Sequence, residues 1–182
     1  MFRFGQTTLG LVMAGLLLGA AATAHATTDN ELIADAKETI AKFKKTDPGL
    51  VSFFDRSAGY AVFPSAGKGG LGIGGAHGTG VLFIKGQPVG KTTMNQVTIG
   101  AQAGGQGFSE VIFFETAAAL TNFQTGEMKF SGSISAVALK AGASANAKYS
   151  DGVAVFTATK GGLMLEAAVG GQKFSYEPFT RR

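Results

Sequence analysis

Glycine decides what this chain can become. Twenty-eight of its 182 residues are glycine, roughly twice the usual share. They follow no Gly-X-Y period and are accompanied by only 4 prolines, which excludes both a collagen helix and a disordered linker. They are interleaved with β-branched and aromatic residues, the pattern of tight turns, bulges and closely approaching strands.

Periodicity divides the chain into a helical start and a β-rich remainder. Leu32, Ile33, Ala36, Ile40 and Phe43 recur at steps of three and four, predicting an amphipathic helix over 31–45. Thr28 and Glu31 have capping-box spacing. Lys37, Lys42, Lys44 and Lys45 lie off the apolar face, so the helix suits either docking on its own domain or lying on a membrane. Asp47 and Pro48 predict a short second helix.

From Gly59 onward the reading is mostly strand. Tyr60 to Phe63 is expected to stop at Pro64. Two strands, 71–76 and 80–85, are expected to flank a His77-Gly78 turn. Strands follow at 97–103 and 108–114, then a brief helix over 115–123. A long alternation covers 128–148, with Ala141, Ala143, Ala145 and Ala147 on one face. Asp151-Gly152 is a hairpin turn signal, and strands at 153–159, 162–169 and 172–176 complete the set. The predicted fold is α+β and β-rich: antiparallel strands in a closed or nearly closed sheet, with N-terminal helices and one short mid-chain helix.

The first 26 residues have the three parts of a secretory signal: Arg3, an apolar stretch from Leu9 to Ala22, and Ala24-His25-Ala26 as a cleavage site. The mature chain is then a single domain, 27–182, in the periplasm or outside the cell. With no cysteine there are no disulfides, thiolate metal sites or lipidated N-terminal cysteine. His77 is the single histidine left after cleavage. The formal net charge of +4 is mild and scattered. It favours anionic surfaces and falls short of a nucleic-acid signature.

Strings that suggest enzymes do not hold. Gly86 to Thr92 has three residues where a phosphate loop needs four, includes Pro88, and joins two strands. Gly67 to Gly72 resembles a dinucleotide string without the helix that must follow it. No G-x-S-x-G elbow is present. Glu110 and Glu115 flank an apolar run, with nothing marking them as a catalytic pair. No cofactor is implied.

Three glycine blocks carry a family resemblance. Residues 58–65 (AGYAVFPS), 68–75 (KGGLGIGG) and 78–83 (GTGVLF) appear in order, followed by 97–106 (VTIGAQAGGQ), 160–164 (KGGLM) and 170–173 (GGQK). This ordered series resembles the SYLF domain family across nearly all of residues 31–178. The resemblance implies a lipid-binding module, with phosphoinositide binding in eukaryotic members, actin association in some, and no enzymatic activity. Export argues against actin. The expected partner is an anionic phospholipid headgroup or membrane surface. Lys68, inside a matching block, is the first candidate headgroup ligand, with Lys85, Lys91 and Lys160 behind it. A carrier enclosing an apolar ligand is the alternative. An outer-membrane barrel fits poorly, because it needs a continuous lipid-facing apolar band.

Overall fold

A computed structural model of the protein describes residues 28–71, 73–99, 106–128, 130, 134–159, 167–168 and 171–180. The expected signal segment, Lys160, residues 100–103 of the strand predicted over 97–103 and all but 167–168 of the strand predicted over 162–169 lie outside them. The described elements are mixed α+β, with three α-helices and one eight-stranded sheet.

The first helix, α1 (Asp29–Thr46), starts as its sequence predicts. Thr28 Oγ1 accepts from the Glu31 N–H at 3.3 Å, and the Thr28 N–H donates back to Glu31 Oε2 at 2.8 Å. Asp47 ends α1 and caps a 3₁₀ turn, Pro48–Leu50, by accepting from the Gly49 N–H at 3.1 Å. A short helix, α2 (Val51–Arg56), follows.

Four long strands come next: β1 (Gly59–Leu71), β2 (Ile73–Ile84), β3 (Gln87–Ile99) and β4 (Gln106–Phe114). After them come α3 (Ala117–Gln124), β5 (Ser135–Ala138), β6 (Val153–Thr159), β7 (Ala167–Ala168) and β8 (Gln172–Pro178). The strand order is β7-β5-β6-β4-β1-β2-β3-β8.

Several local expectations are corrected. His77-Gly78 is no turn. Both residues sit inside β2, paired with Gly67 and Ala66 of β1 and with Asn95 and Met94 of β3. Pro64 does not stop β1. The register shifts between Val62 and Ser65, and this bulge absorbs the missing N–H. The buried Ser109 hydroxyl donates to the Pro64 carbonyl at 2.8 Å. The alanine alternation at 141–147 is not a strand: Gly142 adopts φ 73° and opens a 3₁₀ turn, Ala143–Asn146. The sheet also has one parallel pair, β5 with β6.

Closure is corrected too. Among the described residues β7 and β8 end the sheet and do not pair with each other. The sheet nevertheless curls strongly. Phe63 of β1 and Phe174 of β8 are separated by two strands in the ladder, yet their rings meet at 6.1 Å.

Both faces of the sheet's centre are buried, so its strands read as continuous apolar runs. On the convex face α1, the 3₁₀ turn and α2 cover Tyr60, Val62, Val81, Phe83, Val111 and Phe113 through Leu32, Ala36, Phe43, Leu50 and Phe54. On the concave face α3 places Leu120 and Phe123 against Phe63, Phe114 and Phe174. Glycine lets the layers approach. A Cβ at Gly59 would lie 2.9 Å from the Phe83 carbonyl and 3.2 Å from Leu120.

Candidate functional site

The predicted lysines do not form a cluster. Lys85 is exposed at the β2–β3 hairpin tip. Its φ of 50° and the 74° of Gly86 make the paired left-handed turn that suits a two-residue hairpin. The backbone of Lys68 lies near the other end of the ladder, opposite Ala76 and Gln106. Ala76 is eight residues before Ile84, the last of β2, so about 26 Å of strand separates the two positions. Lys91 is half-buried in β3, between Val81 of β2 and Glu177 of β8.

The register assembles a different surface around Lys91. On the convex face, beyond the helices, one rung joins Ser65, Thr79, Thr93 and Ser175 across β1, β2, β3 and β8. The next rung joins Gly67, His77, Asn95 and Lys173. Ser65, Gly67, His77, Asn95, Lys173 and Ser175 are exposed, while Thr79 and Thr93 are half-buried. Four strands at about 4.8 Å spacing give a surface roughly 14 Å across.

A hydrogen bond orders part of this face. His77 Nδ1 lies 2.8 Å from Asn95 Oδ1. An amide oxygen only accepts, so the imidazole Nδ1–H donates, leaving the Asn95 amide N–H groups for other partners. Among the described residues no other side chain engages the four hydroxyls of the neighbouring rung. Sequence reasoning missed this surface because it placed a turn at His77-Gly78. The legible signal was the every-second-residue series His77, Thr79, Val81, matched by Lys91, Thr93 and Asn95.

Two other features compete with this face. A groove of about 790 Å³ runs between the start of α1 and the β2–β3 hairpin, with Asp29, Ile33, Pro88, Val89, Phe179 and Thr180 in its lining. Its described lining holds a carboxylate and no cation, a poor match for an anion. Inside the curled sheet, Gln96, Glu110, Thr157 and Gln172 are buried. Gln172 Nε2 donates to Glu110 Oε2 at 3.3 Å, tying β8 to β4 across the concavity. Among the described residues no group of three or more His, Cys, Asp or Glu could hold a metal, and no helix is long and apolar enough to cross a membrane.

Fold and surface together define a single-sheet α+β domain among the described residues, helix-covered over part of its convex face and polar along the two rungs beyond the helices. No family model matches the chain. It is 33% identical over 130 residues to Beta cell expansion factor A of Aeromonas veronii. The match covers 70% of this chain and 49% of that protein, so the chain spans about half the length of the curated relative it matches.

Proposed function

We propose that the protein is an exported, non-enzymatic module that binds anionic phospholipid headgroups at a membrane surface. The observation that carries this reading is the exposed convex face, where Lys91 and Lys173 flank a rung of hydroxyls. The resemblance of the glycine blocks to a lipid-binding family supports the same reading. So does the mildly positive charge, a formal +4 for the full chain that includes Arg3. Each lysine near an anionic membrane contributes about 1 kcal/mol, so several must act together. Lys85 at the hairpin tip adds to the same hairpin's charge, and Lys68 and Lys160 remain part of the proposed set.

The enclosed-ligand alternative has less support. The rings of Phe63, Phe114, Phe123, Phe130 and Phe174 occupy the described concave side, in contacts of 4.7 to 6.1 Å.

Cosedimentation with vesicles tests the proposal. Binding to vesicles that contain anionic lipid is expected, with little binding to pure phosphatidylcholine and progressive loss as salt rises. Replacing Lys68, Lys85 and Lys91 together by Gln should weaken binding about tenfold or more. Indifference to lipid charge would overturn the reading. Mass analysis of the exported protein tests the processing: a chain beginning at Thr27 is expected.

A further inference from the structure

The groove between the start of α1 and the β2–β3 hairpin has two fixed walls. One is the first turn of α1, held by the Thr28–Glu31 capping box. The other is the hairpin, fastened to the end of β8. There the Phe179 N–H donates to the Val89 carbonyl at 3.0 Å, and the Tyr176 hydroxyl donates to the same oxygen at 3.4 Å. Both walls are in place before a ligand arrives, which lowers the ordering cost of binding. The volume of about 790 Å³ falls within the range of small-molecule sites.

We propose that this groove binds a small organic amine, an ammonium group carried on an apolar stem. The stem lies on Ile33, Pro88, Val89 and Phe179, and the ammonium sits at Asp29. The site stands apart from the membrane reading, since no lysine belongs to its described lining.

Charge sets the sign of the ligand. The described lining holds one carboxylate, Asp29, and no cation. A helix start carries about half a positive charge, but Asp29 and Glu31 both lie in the first turn of α1. Two whole negative charges outweigh it, so the groove repels an anion and attracts an ammonium. A neutral ligand would cover Asp29 and return nothing for the lost water. Hydrogen bonding agrees. An ammonium has three donors and no acceptor, and the lining offers the Asp29 carboxylate together with the carboxamide oxygens of Asn30 and Gln87. The apolar part agrees too. Ile33, Pro88, Val89 and Phe179 are each half-buried, so an apolar stem removes more of their surface from water. Phe179 also supplies an aromatic ring, which favours a cation over a neutral group.

The test compares three probes of one shape at neutral pH: phenylpropylamine, phenylpropanol and phenylpropionate. Binding is read from nuclear magnetic resonance shifts of the Ile33, Val89 and Phe179 amides. The native protein should bind the amine about five-fold more tightly than the alcohol, the joint yield of an exposed ion pair and a cation–π contact. The acid should bind more weakly than either. Asp29→Asn leaves the Thr28–Glu31 capping box in place. It should bring the amine down to the affinity of the alcohol, and unchanged alcohol binding shows that the groove is intact. Asp29→Glu should keep the preference. Should Asp29→Asn fail to fold, rising salt applied to the native protein decides: the preference for the amine should shrink while alcohol binding holds. Equal binding of amine and alcohol, a preference that survives Asp29→Asn or is indifferent to salt, or shifts that map away from Ile33, Val89 and Phe179, overturns the inference and leaves the membrane reading untouched. A tenfold gain in amine affinity on replacing Arg181 and Arg182 together by Gln would assign the groove to the chain's own cations and overturn its assignment to a free amine.

Discussion

The carboxylate of Asp47 accepts a hydrogen bond from the backbone N–H of Ser144, 97 residues later, at 2.6 Å. Its other oxygen accepts from the Gly49 N–H at 3.1 Å. Asp47 is 2% exposed, so one carboxylate both caps the turn after α1 and fastens it to the turn before β6. A buried, charge-assisted bond of this kind contributes more than a neutral one. Asp47→Ala should destabilise the fold by about 2–3 kcal/mol, read from urea unfolding. Asp47→Asn, which keeps an acceptor, should cost less.

The same carboxylate gives the fold an acid edge. Burial, the largest influence, pushes its pKa up. The hydrogen bonds from Ser144, Gly49 and Gly142 together outweigh burial and hold the pKa below the ordinary aspartate value. The unfolded chain therefore takes up this proton more readily than the folded one. The stabilisation is complete above the unfolded pKa of about 3.9 and disappears as pH falls through the lower folded value. The stability difference between the native protein and Asp47→Asn should be constant above about pH 5 and shrink below about pH 4. A difference that grew on acidification would contradict the arrangement.

Two glycines on adjacent strands should respond oppositely to alanine. At Gly80 a Cβ would collide with the Val62 carbonyl and lie 2.7 Å from Phe63 Cδ1. Gly80→Ala should cost about 3 kcal/mol or prevent folding, since a packed core yields little to an added methyl. Gly67 is exposed, with free space at the Cβ position, and Gly67→Ala should change the melting temperature by no more than about 2 °C.

Phe174 holds the curl of the sheet. Its ring meets Phe63, Phe123 and Phe130 at 6.1, 5.0 and 5.1 Å, so it joins β8 to β1, to α3 and to the segment before β5. Phe174→Ala should cost about 3–5 kcal/mol. Loss of near-ultraviolet circular dichroism should accompany it, because the ring cluster would lose its centre.

Much of this molecule is written locally. The Thr28–Glu31 capping box, the step-of-three-and-four face of α1, the cap at Asp47 and the Asp151-Gly152 turn each depend on residues a few positions apart. Asp151 and Gly152 take φ 51° and 77°, as that dipeptide requires. Composition alone set the β-rich class, and periodicity set the helical start and the helix after β4. His77-Gly78 and Pro64 went the other way, because pairing partners far along the chain overrode local preference, and the alanines at 141–147 went into a 3₁₀ turn whose Ser144 N–H is held by the distant Asp47. A glycine next to a histidine is an adequate turn, yet it is also an adequate strand once β1 and β3 lie on either side. The polar face shows the same division. Lys173 and Ser175 fell on a predicted strand, but Ser65, His77, Thr79, Thr93 and Asn95 lay in segments expected to be turns or connections, which the structure places within β1, β2 and β3. Their assembly into two rungs depends on registers that bring Ser65, Thr79, Thr93 and Ser175 together from four strands. Register is a property of pairs of strands, fixed by which apolar faces must be buried together, and no single segment of the sequence contains it.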